Sequence, residues 1–255
     1  MKRTWLVMGL IMVLAAALTA PASAYPRYYE EPVRSAATSA AGEFNDIAYR
    51  VGVFGTLGYS NYLLGDENQY IDQLNADSTA AGGRTISHVN GGLTGGLGMT
   101  FGMSEFCQVG FEYEGLGAGT SGSLAPGESV TMTLPASEFG GFFKLVMPVE
   151  DRWLLSFGLG LYNLWVENDT EKYTFADGTA ASYTFYGSSM ATKLWAGGEY
   201  FLTQHLALGI DAGYRFARIN HITDQNGVTM LNSDLSNFTL DYSGPFARTS
   251  LQFYF

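Results

Sequence analysis

Apolar side chains recur at every second position in eight stretches of the chain that follow residue 46. In one stretch Leu93, Leu97 and Met99 alternate with glycine and threonine. Successive side chains of a strand point to opposite faces, so this alternation predicts strands with one apolar and one small or polar face. The predicted strands are Tyr49–Tyr59, Ser87–Met103, Cys107–Glu114, Glu138–Met147, Trp153–Trp165, Met190–Tyr200, Leu206–Phe216 and a last strand that ends in Leu251–Phe255.

The connections between these strands alternate between short and long. The short ones lie near residues 103–105, 148–152 and 202–204, and the long, polar ones are 61–85, 116–129, 167–183 and 220–237. This alternation is typical of an up-and-down barrel with tight turns at one end and loops at the other. Gly244-Pro245 suggests a bulge before the last strand.

The apolar face is predicted to lie outside, against lipid. Tilted strands of roughly 9–11 residues cross a bilayer, and only a closed barrel leaves no strand edge unpaired there. Aromatic residues end several strands on the apolar face, which suits the two membrane interfaces. The alternative is a lipocalin-like soluble barrel, but it would expose a face rich in glycine, whereas soluble surfaces are usually richer in charge. The predicted fold is therefore all-β, an eight-stranded antiparallel up-and-down transmembrane β-barrel.

The N-terminal segment has the features of a secretory signal peptide. Lys2 and Arg3 precede an apolar stretch that ends in Pro21, and Ala22-Ser23-Ala24 is a small-residue cleavage site. A membrane anchor is the alternative, but the apolar stretch is short. We predict a signal peptide at 1–24, a flexible periplasmic tail at 25–46 and the barrel at 47–255.

Charge and cysteine content narrow the possible partners. Without residues 1–24 the chain holds 11 Lys and Arg against 24 Asp and Glu, a net charge of −13. An acidic chain argues against nucleic acid as a partner. Cys107 is the single cysteine, so the chain has no internal disulfide.

The predicted signal peptide, eight amphipathic strands, three short turns, four long loops and terminal Phe255 resemble the small bacterial outer-membrane barrels of the OmpA/OmpX/OmpW type. The resemblance implies a monomer in the bacterial outer membrane, with membrane lipid and lipopolysaccharide as partners. It also implies that periplasmic chaperones and the barrel-assembly machinery act on the chain. In that family a C-terminal aromatic strand is the assembly signal, which here consists of Leu251, Phe253 and Phe255.

The opposite face of the strands collects charged side chains in the predicted lumen. Five cations and five anions balance there, so we predict that they pair, occlude the lumen and fix the strand register. The alternative is a gate in which the pairs exchange partners. Inward glycines are predicted to make room for Phe54, Tyr162 and Trp195. The ten charged residues are Arg50, Glu112, Glu114, Glu138, Lys144, Lys193, Glu199, Asp211, Arg215 and Arg248.

Candidate chemistry is sparse. His88, His205 and His221 are the only histidines, and no G-x-S-x-G nucleophile motif is present. The glycine run Gly91–Gly98 does not precede a helical pattern or a lysine, so it is not a phosphate loop. The acidic turns at 66–68 and 224–227 lack the frame of a calcium site, although divalent ions could bridge them to lipopolysaccharide. We therefore predict no cofactor, no metal site and no enzyme activity.

The sequence favours a structural or surface-interaction role carried by the four long loops. The alternative is a narrow transport barrel for small or apolar solutes, as proposed for OmpW-like members, because a lateral opening is compatible with a narrow lumen. A lipid-modifying barrel enzyme is the third and least favoured class.

Overall fold

The computed structural model describes residues 47–232 and 234–255, except for the side chains of 167–169. The predicted signal peptide at 1–24 and tail at 25–46 lie outside the described residues. Within the described ranges the chain forms twelve strands and one helix. They are β1 (Val51–Asn61), α1 (Gly65–Ala80), β2 (Gly91–Ser104), β3 (Cys107–Leu116), β4 (Gly119–Ala125), β5 (Glu128–Thr133), β6 (Ala136–Glu150), β7 (Trp153–Thr174), β8 (Ala180–Phe201), β9 (Leu206–Ile219), β10 (Thr223–Asp224), β11 (Leu240–Asp241) and β12 (Gly244–Tyr254).

Eight of these strands close into a ring in the order β1-β2-β3-β6-β7-β8-β9-β12 and back to β1, and every pairing is antiparallel. Closure occurs between the first and last strands, where Val53 pairs with Phe253. Closing the ring satisfies the backbone groups of both edges. The predicted eight-stranded up-and-down barrel is confirmed. No helix in the described part of the chain has the length and apolar character needed to span a bilayer.

The outer surface of the ring is an apolar belt. Leu93, Met190 and Ile210 are 70%, 66% and 65% exposed, and similar side chains surround the barrel. A contiguous apolar surface of this extent is unstable in water, so the barrel is a transmembrane one. The lipocalin-like alternative is wrong because the apolar face lies outside.

The inner face is narrow, and its glycines make space for large side chains. A Cβ atom on Gly98 would lie 2.3 Å from the Phe54 ring, and one on Gly158 would lie 2.1 Å from the Trp195 ring. Such contacts are far inside van der Waals distance. The packing role predicted for the inward glycines is therefore confirmed at both positions.

The long connections differ from the predicted polar loops. The segment 61–85 contains α1, and the β4–β5 hairpin begins within 116–129 and continues to Thr133. Strands β7 and β8 run on far beyond the apolar belt, and β5 pairs with the β7 extension, so the hairpin continues the sheet. We call this end of the barrel, with α1, the hairpin and the 220–243 segment, the cap; the opposite end is the short-turn end.

Two strand limits also differ from prediction. Strand β2 begins at Gly91 rather than Ser87, because the preceding segment is bound by side chains of α1. The predicted bulge at Gly244-Pro245 is wrong, since β12 pairs with β9 without a register shift from Gly244 onward. Gly244 instead allows close backbone approach, because a Cβ there would lie 2.1 Å from the Asn61 carbonyl oxygen.

Candidate functional site

The upper lumen, beneath the cap, is filled by a hydrophobic core. Strand residues such as Leu164 and Ile219 pack there with Ile71 of α1 and Tyr242 of the last long connection. Tyr242 also donates a hydrogen bond to the Leu134 carbonyl oxygen at 3.2 Å. The cap therefore closes the barrel from above with packed side chains.

Helix α1 is held mainly by polar side chains. Asn68 binds both backbone groups of Val89, with Nδ2 donating to the carbonyl oxygen at 3.1 Å and Oδ1 accepting from N–H at 2.8 Å. Asn75 does the same for Ile86, at 2.9 and 2.7 Å. These amides substitute for a neighbouring strand and satisfy backbone groups that would otherwise be unpaired.

Below the core, buried charges form a connected network. Lys193 Nζ lies 2.7 Å from Glu114 and 2.6 Å from Glu138. Arg215 contacts the same two carboxylates at 3.0 and 3.3 Å. All four side chains are at most 1% exposed. Two cations therefore share two carboxylates without solvent.

Arg248 extends this network towards the short-turn end. It contacts Glu112 and lies 3.2 Å from Asp211, its cross-strand partner. Glu112 in turn lies 3.5 Å from Lys193 and accepts a hydrogen bond from Tyr162 at 3.3 Å. Because the partners come from strands on different sides of the ring, the network crosses the lumen.

A second ion pair lies nearer the short-turn end. Lys144 donates to Glu199, which also accepts a hydrogen bond from Tyr254 at 2.7 Å. Arg50, predicted as a lumen residue, lies instead at the short-turn rim, where it contacts Gln204 and approaches His205 Nδ1 at 3.2 Å. Arg50 precedes β1, so the alternation of inward and outward side chains along the strand does not apply to it. The other nine predicted lumen residues lie in the network or in this pair.

Aromatic rings pack beside both the charged network and the Lys144–Glu199 pair. Phe54, Phe142, Trp195 and Phe246 form a buried cluster, and Arg248 lies 5.4 Å from the Trp195 ring centre. The residual cavity beside this cluster has a volume of about 20 Å³, which is room for about one water molecule. Among the described residues, packed side chains therefore fill the lumen almost completely at this level.

The cap contains a cleft of about 710 Å³ between α1, the extensions of β7 and β8, and the segments 230–232 and 234–238. We call it the cap cleft. Its walls carry carboxylates, amides, hydroxyls and aromatic rings. Its chemically distinctive lining residues are Asp66, Glu171, Asp234, Tyr70, Tyr173, Tyr183, Phe185 and Phe238.

A short hydrogen-bond chain forms one wall of the cap cleft. Tyr173 donates to Glu171 Oε2 at 3.1 Å, and its hydroxyl lies 2.7 Å from that of Tyr70. Burial raises the pKa of Glu171 to about 7. Burial, and then the charge of Glu171, raise the pKa of Glu67 to about 8. Glu67 is 1% exposed, and its Oε1 has no hydrogen-bond partner among the described residues.

The polar groups singled out in the sequence have structural contacts. His88 Nε2 lies 2.7 Å from Asp72 on α1, which links the helix to the segment before β2. Asp66 accepts hydrogen bonds from the backbone N–H and hydroxyl of Thr239, and Asp224 accepts from backbone N–H groups in its own turn. The described residues hold no group of three or more metal-ligating side chains.

Sequence reasoning missed three residues that line the cap cleft and the buried carboxyl group that interacts with one of them. Glu67, Tyr70, Glu171 and Tyr173 lie in connections predicted to be polar loops. Glu171 and Tyr173 continue an alternation beyond the predicted end of the fifth strand, but at odd-numbered positions, so this pattern alone would have placed them on the outward face.

These features define a class: a transmembrane β-barrel whose lumen is filled by its own side chains. No protein-family model matches the chain, and no curated protein matches it. Among solved structures it is similar to the outer membrane protein OprG of Pseudomonas aeruginosa, with 13% identity, a TM-score of 0.49, and coverage of 85% of this chain and 99% of that one.

Two further similar structures are also small barrels. Neisserial surface protein A has 8% identity and a TM-score of 0.46, with coverage of 82% of this chain and 98% of that one. Ail, the attachment invasion locus protein of Yersinia pestis, has 10% identity and a TM-score of 0.43, with coverage of 82% and 99%. The predicted resemblance to small outer-membrane barrels is confirmed at the level of architecture, and the closed ring of strands itself establishes the fold.

Proposed function

We propose that the protein is a bacterial outer-membrane barrel with a structural or surface-interaction role, carried by the cap on the outside of the cell. The observation that supports this most is the filled lumen. A core, a buried ion network and an aromatic cluster follow one another along the barrel, with about 20 Å³ of free volume beside the cluster. A barrel packed in this way does not conduct in its resting state.

An ordered cap supports a role at the surface. Helix α1, the β4–β5 hairpin and the β7–β8 extension are held by hydrogen bonds and by the upper core. Loops and extensions on a rigid scaffold present fixed surfaces to partners. The proposed role is not catalytic, since the ionisable lumen groups are engaged with each other and two of the histidines have structural contacts.

Conductance across planar bilayers tests the closed lumen. Refolded protein, with insertion verified by its heat-modifiable gel band, is expected to give no stable channels at moderate voltage. Arg248→Ala removes a side chain that fills the lumen between Glu112 and Asp211 but leaves the upper core in place, so it is also expected to give no stable channels. Stable channels from the unaltered protein would instead support the narrow transport barrel.

Labelling of intact cells tests the orientation. Epitope tags in the exposed turns at Gly178 and Gly227 are expected to be labelled, and tags at Asp151 and Gln204 to be labelled only after permeabilisation. Gly178 and Gly227 have open space around them and positive φ, so insertions there disturb no packing. The reverse labelling pattern would contradict the proposed orientation.

We also propose that the last strand serves as an assembly signal for the barrel-assembly machinery. Leu251, Phe253 and Phe255 are 52%, 39% and 40% exposed on the outer wall, so they are accessible before lipid covers them. Phe255→Asp is expected to reduce the folded protein in outer-membrane fractions severely, whereas Gln252→Asn, on the inner face, is expected to reduce it less. Normal levels of the Phe255→Asp protein would contradict the proposal.

A further inference from the structure

The cap cleft is a built cavity that the closed-lumen proposal does not use. Its volume of about 710 Å³ falls within the range of roughly 300–1,000 Å³ that small-molecule sites occupy. Helix α1 forms one wall, the β7–β8 extension a second, and the segments 230–232 and 234–238 a third. Asp66 joins the first and third walls, because its carboxylate binds Asn232 and Thr239.

The lining has one sign of charge. Asp66, Glu171 and Asp234 line the cleft, and its described lining includes no Lys, Arg or His. Hydrogen bonds hold all three carboxylates in place, through Oδ2 of Asp66, Oε2 of Glu171 and Oδ1 of Asp234. The carboxylates are therefore pre-oriented acceptors, and the cavity favours positive charge.

A buried carboxyl near Glu171 is the second observation. Glu67 is buried on α1, with one oxygen that lacks a hydrogen-bond partner among the described residues. The two carboxyls interact electrostatically, and neither forms an ion pair within the described part of the chain. Burying two acidic groups without a cation is costly, and a cation in the cleft would offset part of that cost.

The remaining lining identifies the kind of cation. Six aromatic side chains line the cleft, among them Tyr70, Tyr173 and Phe238. Ring faces attract ammonium groups through cation–π interactions and bury apolar substituents. A bare metal ion would need several oxygen ligands in a compact frame, and the described residues contain no such group.

We propose that the cap cleft binds a small organic cation, an ammonium compound with an aromatic or apolar body. The ammonium group lies against the carboxylate of Glu171, and the apolar body packs on the aromatic wall. The inference deepens the proposed surface role, but binding to purified protein does not depend on orientation in the membrane. The outcome of a binding measurement is therefore independent of the outcomes of the labelling and conductance tests.

Calorimetric titration of the refolded full barrel tests the proposal. The detergent is tetraethylene glycol monooctyl ether, because detergents with quaternary ammonium headgroups would compete for the site. The probe cation is 2-phenylethylamine, compared with the neutral 2-phenylethanol and the anionic 3-phenylpropanoate. The amine is expected to bind about tenfold more tightly than the alcohol, and the anion not to bind.

Matched variants locate the binding. Glu171→Gln keeps the shape of the side chain and is expected to weaken amine binding about tenfold while leaving the alcohol unchanged. Asp77→Asn, at the exposed far end of α1, is the control and is expected to change neither. If Glu171→Gln does not fold, Asp234→Asn provides the same test from the third wall. Equal binding of amine and alcohol, no detectable amine binding, or equal effects of Glu171→Gln and Asp77→Asn would overturn the proposal.

Discussion

The membrane-spanning wall and the cap distribute polarity in opposite ways. In the wall, side chains such as Leu159 face outward into lipid and the charged network lies inside. In the cap, apolar side chains such as Ile71 lie inside and polar ones face outward. The reversal occurs within continuous strands, so it reflects the change from lipid to water outside and not a change of fold.

Strand β7 shows how one element serves both regions. Up to Val166 the even-numbered residues, such as Leu164, face inward. After a register shift between Glu167 and Asp169, the inward side chains are those at odd-numbered positions. Glu171 and Tyr173 therefore point into the cap. An extra residue in one strand rotates every following side chain to the other face. The shift allows a lipid-facing strand to supply residues to the cap cleft.

The largest expected effect comes from the buried network of the wall. Lys193→Met keeps the length and volume of the side chain but leaves Glu114 and Glu138 with less positive charge. Breaking a buried pair typically costs about 3–5 kcal/mol, so the gel band of the folded protein should convert to the unfolded band at a clearly lower temperature. Lys172→Met, on the exposed side of the β7 extension, is the control and should have little effect. An unchanged conversion temperature for Lys193→Met would mean that the network does not stabilise the barrel.

A second pair of substitutions sharpens the contrast at two exposed apolar residues. Leu159 in the wall is 48% exposed and Val228 in the cap is 62% exposed. Leu159→Arg places a charge in lipid and should lower the free energy of unfolding by about 2–4 kcal/mol. Val228→Arg places the same charge in water and should have almost no effect. Urea titration in lipid vesicles measures both, and similar losses at the two sites would contradict the assignment of the apolar belt.

The sequence could predict the wall because lipid outside and a narrow lumen inside impose a strict period of two. That period identified the eight strands and the inward side of residues such as Lys193 and Arg215. It failed for Arg50, because Arg50 precedes β1 and the alternation of inward and outward side chains begins only within the strand. It also failed at Glu171, because the register shift in β7 leaves no mark in residue type.

The cap was less predictable because its elements lack a periodic apolar stripe. Helix α1 has the sequence GDENQYIDQLNADSTA, in which Ile71 and Leu74 are the only aliphatic residues larger than alanine. Its attachment depends on the amides of Asn68 and Asn75, which bind backbone groups more than ten residues away. Polar residues in such roles resemble ordinary loop residues until their partners are known.

The stability of the cap should depend on pH near neutrality, whereas the protection of strands in the wall should not. Burial raises the pKa of Glu67 to about 8, above its value in an unfolded chain. The folded protein therefore keeps a proton on Glu67 at pH values at which the unfolded chain has lost it. The stability of the cap is therefore fully present at low pH and is lost as pH rises towards the folded pKa. Between about pH 6 and pH 8 the loss should reach up to about 2 kcal/mol. Hydrogen exchange of α1 amides, corrected for the intrinsic rate, measures it.

Glu67→Gln provides the control for this pH effect. The amide cannot ionise, so the protection of α1 should vary less between about pH 6 and pH 8, and the variation that stays belongs to Glu171, whose pKa burial raises to about 7. Amides in the centre of β2, in the wall, should keep their protection in both proteins. If α1 in the unaltered protein is equally protected at both pH values, the buried carboxyl of Glu67 is not coupled to the docking of the helix.

The smallest effect concerns the amide that holds α1 to the chain before β2. Asn75→Ala removes two hydrogen bonds to the backbone of Ile86. Water can replace part of them at the surface of the cap, so the cost should be about 1 kcal/mol. Local opening should then become about fivefold more frequent. Arg84 lies in the segment that the opening releases, and trypsin cleaves after it. When the segment closes again faster than trypsin cleaves, the cleavage rate measures how often it opens.

Gln73→Ala, on the exposed side of the same helix, should leave the cleavage rate unchanged. Equal rates for Asn75→Ala and the unaltered protein would mean that the cap is held by its apolar core alone, as the wall is held by its own packing.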